Sequence, residues 1–227
     1  MPTTLITGAS RGLGFEFARQ YSLAGWRVIA TCRGAKDMEP LTELGGEIEV
    51  HKLDVSDHDQ ILALAHTLRR ESIDVLLNNA GVHGPRPSRL GAIDYDAWDE
   101  VFRVNTLGPM RMTECFIDHI ARSDRKLIVV VSSIMGSITD NEVGGAYSYR
   151  STKAAANAVT KNLAIDLRDR GVTVVAMHPG WVTTDMGGAG ADMEAVESIR
   201  AMRQVIDGIR RGDTGQFLNY DGTVIPW

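Results

Sequence analysis

The stretch Thr7-Gly8-Ala9-Ser10-Arg11-Gly12-Leu13-Gly14, TGASRGLG, decides the fold. It follows a short apolar run, TTLIT (3–7), and opens an amphipathic one near 12–24. Three glycines therefore close a strand and begin a helix, with the spacing Gly-x-x-x-Gly-x-Gly. A phosphate needs bare backbone N–H groups at a helix N-terminus, and a Cβ at the closest point would block its approach. Gly8, Ser10, Arg11, Gly12, Leu13 and Gly14 are thus candidate phosphate contacts. An ordinary glycine-rich strand–helix turn would read the same way, so the surrounding pattern has to decide.

Outward from this loop, short β-branched runs alternate with longer amphipathic ones. Candidate strands are TTLIT (3–7), RVIAT (27–31), EIEVHKL (47–53), IDVLL (73–77), LIVVVS (127–132), VTVVAM (172–177) and QFLNY (216–220). Helical patterns fall near 12–24, 36–44, 57–71, 96–122, 147–170 and 192–211. Continuous apolar strands are those covered on both faces. Strand–helix alternation predicts a parallel sheet with right-handed crossovers. In such sheets ligands lie at the carboxyl ends of the strands, so the residues just after each strand are the ones to inspect.

The 227 residues, 44% hydrophobic and 23% charged, suit one soluble α/β domain spanning 1–227. The longest purely aliphatic run is LIVVV (127–131), far short of a membrane span. MPTTLITG lacks the basic and apolar regions of a secretory signal. A net charge of −5 disfavours a nucleic-acid partner. Cys32 and Cys115 read as free thiols, which with the missing signal predicts a cytoplasmic protein. Six scattered histidines give no metal-ligand spacing, so no metal is expected.

The second strand ends in Thr31-Cys32-Arg33, where an NAD site usually places an acid for the ribose 2′-hydroxyl. Arg33 stands there instead, and Arg11 lies inside the glycine loop. Each alone reads as a surface charge. Together they suit a 2′-phosphate, which guanidinium groups bind by paired charge-assisted bonds, so NADP(H) is expected over NAD(H). Asp54 and Val55, after the third strand, fit an adenine-edge contact, although Asp54 equally suits a cap or turn. After the fourth strand, Asn78-Asn79-Ala80-Gly81 offers small residues beside a flat ligand and amides that either tie strands or meet a ribose. Asn105, in VFRVNTLGP, sits within a long helical pattern that it could kink.

VVVSSIMG places Ser132 and Ser133 at a strand end, and AYSYRSTKAAAN opens the next helix. Tyr149 and Lys153 are four apart and share a helix face. Tyr147 has only Ser151 at the same offset. Hydride addition to a carbonyl creates an alkoxide that must be protonated. A phenol can give that proton, and a nearby ammonium lowers its pKa. Ser133 can hydrogen-bond the oxygen where charge develops. Ser132, its neighbour on a pleated strand, points elsewhere.

TGASRGLG, LDV, NNAG, VNTLGP, VSSIMG, YRSTK and HPGWVTTDM, in this order, resemble the short-chain dehydrogenase/reductase family over most of the chain. The resemblance implies a doubly wound Rossmann-type domain with a seven-stranded parallel sheet in the order 3-2-1-4-5-6-7. It implies catalytic roles for Asn105, Ser133, Tyr149 and Lys153, with Lys153 also on the nicotinamide ribose. It places Pro179, Gly180, Val182 and Thr184 beside the nicotinamide carboxamide. It implies a small carbonyl or alcohol substrate, and a homodimer or homotetramer built on the helices at 96–122 and 147–170. SSIMGSI, GGAYSYRSTKAA and the ending YDGTVIPW resemble more narrowly the C-factor/sniffer-type carbonyl reductases, a branch that also holds a signalling protein. GGAGADMEAVES (187–198) departs from that branch in lacking a proline after the glycines, and its shortness predicts an open cleft. Trp181 reads as pocket wall or packing, and Trp227 as a subunit contact.

Overall fold

The computed structural model describes residues 1–227. Seven strands form one parallel sheet: β1 (Thr3–Ile6), β2 (Arg27–Cys32), β3 (Ile48–Lys52), β4 (Val75–Asn78), β5 (Leu127–Val131), β6 (Thr173–His178) and β9 (Phe217–Asn219). Their order is β3-β2-β1-β4-β5-β6-β9. This is the expected sheet, its seventh member being β9. β7 (Val182–Thr183) and β8 (Met193–Glu194) pair separately as a small ribbon. The sequence reading had missed this ribbon, because two residues carry no periodicity.

Helices cover both faces: α1 (Gly12–Leu23), α2 (Glu39–Thr42), α3 (His58–Thr67), α4 (Tyr95–Phe102), α5 (Gly108–Ala121), α6 (Tyr147–Asp166) and α7 (Ala195–Gly208). Successive strand residues feed opposite cores. Leu5, Leu76, Ile128 and Val174 pack with Ile61 of α3, Phe116 of α5 and Leu163 of α6. Ile6, Leu77, Val129 and Val175 pack with Phe17 of α1 and Ile199 and Met202 of α7. Each such side chain contributes roughly 1.5–3 kcal/mol on burial.

Two helical expectations are corrected. The pattern at 36–44 is only a 3-10 turn (Ala35–Asp37) and the one-turn α2, since Pro40 has no N–H to carry the 3-10 turn on into a longer helix and Gly45, at positive φ, follows its end. The stretch at 96–122 is helical from Tyr95 to Ala121, as expected, but is not α-helical throughout. A π-helical segment, Arg103–Leu107, separates α4 from α5 and contains Asn105. The segment after β9 folds back along its outer edge. Asn219 N–H donates to Thr223 O and Ile225 N–H to Phe217 O, each at 2.8 Å. Trp227 stacks on Phe217 with centroids 5.6 Å apart, so this ring packs within its own chain.

Candidate active site

A cleft of roughly 1000 Å³ opens along the carboxyl ends of β1 to β6. At its centre the glycine loop leads into α1. Asp57 and Asp94 cap α3 and α4 through their carboxylates, but Arg11 gives α1 no side-chain cap. The first N–H groups of α1 therefore stay free for an anion. The glycines answer first to the protein itself. A Cβ on Gly14 would lie 2.2 Å from Gly8 O and 2.5 Å from Asn79 Nδ2. Gly8 has φ +66°, and a Cβ there would meet Ala80 Cα at 2.9 Å. Asn79 is the tie that makes this packing tight: its amide donates to Thr7 O at 2.9 Å and to Gly8 O at 3.1 Å. Asn78 is buried deeper, with neither amide atom hydrogen-bonded.

Arg33 is exposed at the end of β2 and makes no ion pair, while Arg11 lies 3.4 Å from Asp185 across the cleft. Both Arg11 and Asp185 are largely exposed, and such a pair holds little energy. Asp37, overlooked in the sequence because it falls four residues past Arg33, lines the same end. Asp54 lines it too, yet its carboxylate is engaged in a turn, accepting from Ser56 N–H at 2.9 Å and Ser56 Oγ at 2.7 Å. Val55 lines the cleft beside it, whereas Gly81 belongs to the other end, where a Cβ on it would lie 3.5 Å from Lys153 Nζ.

Ser133, Tyr149 and Lys153 converge at the other end. Tyr149 is 8% exposed and faces the cleft, whereas Tyr147 is 41% exposed and lies outside it. Burial pushes the Tyr149 phenol up to about 12, and only Ser133, close to its oxygen, opposes that. Lys153 does not lower the phenol here, contrary to the sequence expectation. Its ammonium lies 5.7 Å from the Tyr149 ring centroid and donates to Val131 O at 2.9 Å. Burial lowers Lys153 to about 8. Ser132 turns away, donating to Asn157 Oδ1 at 2.6 Å.

Asn105 is the one expected site residue that stands behind the cleft wall, 1% exposed. Its Oδ1 accepts from Val82 N–H at 2.9 Å and its Nδ2 donates to Val82 O at 2.8 Å and to Thr152 Oγ1 at 3.1 Å. It thus braces the chain just after Gly81. His83, which the sequence reading passed over, stacks on Tyr149 with centroids 4.8 Å apart and 14° between planes. His178 lines the cleft with Nδ1 unpartnered, and burial lowers it to about 4.

Pro179, Gly180, Val182 and Thr184 border the cleft on the loop after β6. Trp181 is a wall residue, its indole N–H donating to Gly187 O at 3.0 Å. The free α1 N–H groups, the bare loop and the unpaired Arg33 fit a phosphorylated dinucleotide stretched along this cleft. No helix is long and apolar enough to cross a membrane.

The family model described as short chain dehydrogenase matches residues 2–195. C-signal of Myxococcus xanthus is 43% identical over 155 residues, covering 68% of this chain and 93% of that protein. The carbonyl reductase Sniffer of D. melanogaster has a TM-score of 0.92 at 32% identity, with 100% of both chains covered. An NADPH-bound carbonyl reductase from chicken fatty liver has a TM-score of 0.91 at 32% identity, covering 100% of this chain and 99% of that one. By sequence, sheet order and cleft alike, the chain belongs to the short-chain dehydrogenase family of NAD(P)-dependent oxidoreductases.

Proposed function

We propose that the chain reduces a small aldehyde, ketone or quinone to its alcohol with NADPH, the reverse oxidation using the same residues. The observation that carries this reading is the meeting of Ser133, Tyr149 and Lys153 at one end of a cleft whose other end presents the glycine loop and Arg33. The bound dinucleotide supplies the hydride. Tyr149 gives the proton to the substrate oxygen, and its pKa of about 12 keeps it protonated at neutral pH, the state that reduction needs. Oxidation needs the phenolate and should rise with pH. Ser133 hydrogen-bonds the same oxygen as charge builds there. Lys153 holds the nicotinamide ribose through its ammonium. Asn105 acts as a positioning residue, supporting the proton relay through the Val82 backbone and the π-helical turn.

Arg11 and Arg33 support NADPH over NADH, as does the NADPH in the chicken enzyme. The exposed Leu107 and Ile165 support pairing of the α4–α5 and α6 helices with those of a second copy, giving a homodimer or homotetramer. A single-chain mass by light scattering at micromolar concentration overturns that pairing. Free cysteines support a cytoplasmic location.

The test is NADPH oxidation with a panel of aldehydes, ketones and quinones. Tyr149→Phe should lower turnover by about 10²–10⁴-fold, with NADPH affinity little changed. Tyr147→Phe should stay active, and Lys153→Ala should lose affinity as well as rate. The identity to C-signal favours a second reading, a nucleotide-binding signalling protein with little turnover. Unmodified protein that binds NADPH yet oxidises it with no carbonyl establishes that second reading instead.

A further inference from the structure

Val82-His83-Gly84-Pro85-Arg86 forms one rim of the cleft at the Tyr149 end. Arg86 reaches from this rim past the edge of the His83 ring. Its Nε donates to His83 Nδ1 at 3.4 Å, and its Nη2 donates to Met186 O at 3.0 Å. Met186 belongs to the loop after β7 on the opposite rim. Arg86 therefore bridges the mouth, and the His83 ring links it to Tyr149, taking its hydrogen bond at one edge and stacking on the phenol ring with one face. Because Nδ1 accepts from the guanidinium, His83 is a neutral imidazole, which burial and the adjacent cation both favour.

Three carboxylates line the cleft, and none answers Arg86. Asp37 follows β2 and Asp54 follows β3, on the far side of β1 from β5 and Ser133. Asp185 is turned to Arg11. Both hydrogen bonds of Arg86 go to uncharged acceptors, so its charge is unmatched and further donors remain. The lining of the cleft that it bridges includes the apolar side chains of Val82, Ile134, Met135 and Trp181. An unmatched guanidinium over an apolar, partly closed mouth is a receptor for a planar anion, which it holds through two parallel bonds.

We infer that Arg86 selects carbonyl substrates that carry a carboxylate, binding that group at the mouth while the carbonyl oxygen lies against Tyr149 and Ser133. The inference rests on the carbonyl reductase reading and names its substrate class. The apolar walls would hold the carbon skeleton between the two polar ends.

The experiment compares 4-formylbenzoate with its methyl ester, which have the same ring and the same aldehyde. The unmodified enzyme should reduce the acid with a kcat/KM roughly tenfold or more above that of the ester, the gain falling in KM. Arg86→Gln should bring the acid-to-ester ratio near one, and Arg86→Glu should invert it. Arg86→Lys should retain part of the preference. In unmodified enzyme, benzoate should compete with the ester where benzamide does not, a measurement independent of any variant. A wild-type ratio at or below one, or an Arg86→Gln variant that keeps the wild-type ratio, overturns the inference and leaves the carbonyl reductase reading standing. Reduction of neither aldehyde, nor of any other carbonyl, overturns both.

Discussion

Asp37 and Arg33 place opposite charges at the end of the cleft that would meet a 2′-phosphate. Arg33→Ala should weaken NADPH by about 1.5–3 kcal/mol and leave NADH nearly unchanged. Asp37→Asn should move the other way. Like charges a few ångströms apart in water cost about 1 kcal/mol, so NADPH should tighten roughly fivefold with little change for NADH. Fluorescence titration of both nucleotides reads the two variants, and equal losses for both nucleotides would make Arg33 a structural residue. Tyr149 and Lys153 carry a second residue-scale lesson. Their spacing on one helix face was legible in the sequence. The direction of the Tyr149 shift was not, because it depends on burial and on Val131 O taking the ammonium. His83 and Arg86 were not legible either. One acts through a ring stacked on a residue 66 positions later, the other through a carbonyl 100 positions away.

At the scale of elements, the strands were the easiest to read. IVVV and VLL are buried on both faces, and nothing but a central strand suits them. The junctions were harder. The π-helical turn at Arg103–Leu107 was foreseen only as a possible kink at Asn105, and its function there is to let the side chain grip Val82 from behind the wall. The glycine loop was assigned to phosphate approach, yet Gly14 is already required where α1 crosses Gly8 and Asn79. Gly14→Ala should therefore destabilise the fold even without nucleotide, by about 1–3 kcal/mol or more. Gly208→Ala, at the end of α7 with no atom within 4 Å of the new Cβ, should stabilise by about 0.5–1 kcal/mol. Urea midpoints measure both. An unchanged midpoint for Gly14→Ala would show that the loop can relax away from the added carbon.

For the whole molecule, three histidines set the response to acid. Burial keeps His178, His83 and His119 less basic than in the unfolded chain, His178 down to about 4. Between pH 6.5 and 4 the unfolded chain binds more protons, so stability falls as pH falls through that window. At 1.36 kcal/mol per pKa unit, His178 alone would contribute up to roughly 3 kcal/mol. The thermal midpoint should drop across that range and drop less in His178→Gln; an identical slope would remove His178 as the cause. The turn that folds back along β9 bears on solubility. A parallel sheet ends in two rows of unpaired backbone groups, each a template for another chain. On one side, β3 carries Glu49 and Lys52, whose charges resist such pairing. On the other, residues 223–225 occupy the hydrogen bonds a foreign strand would use. Extension of the sheet at that edge would first have to displace these residues. Ile225→Pro, which removes the N–H given to Phe217 O, should expose that edge and turn reversible heating into turbidity that grows with protein concentration.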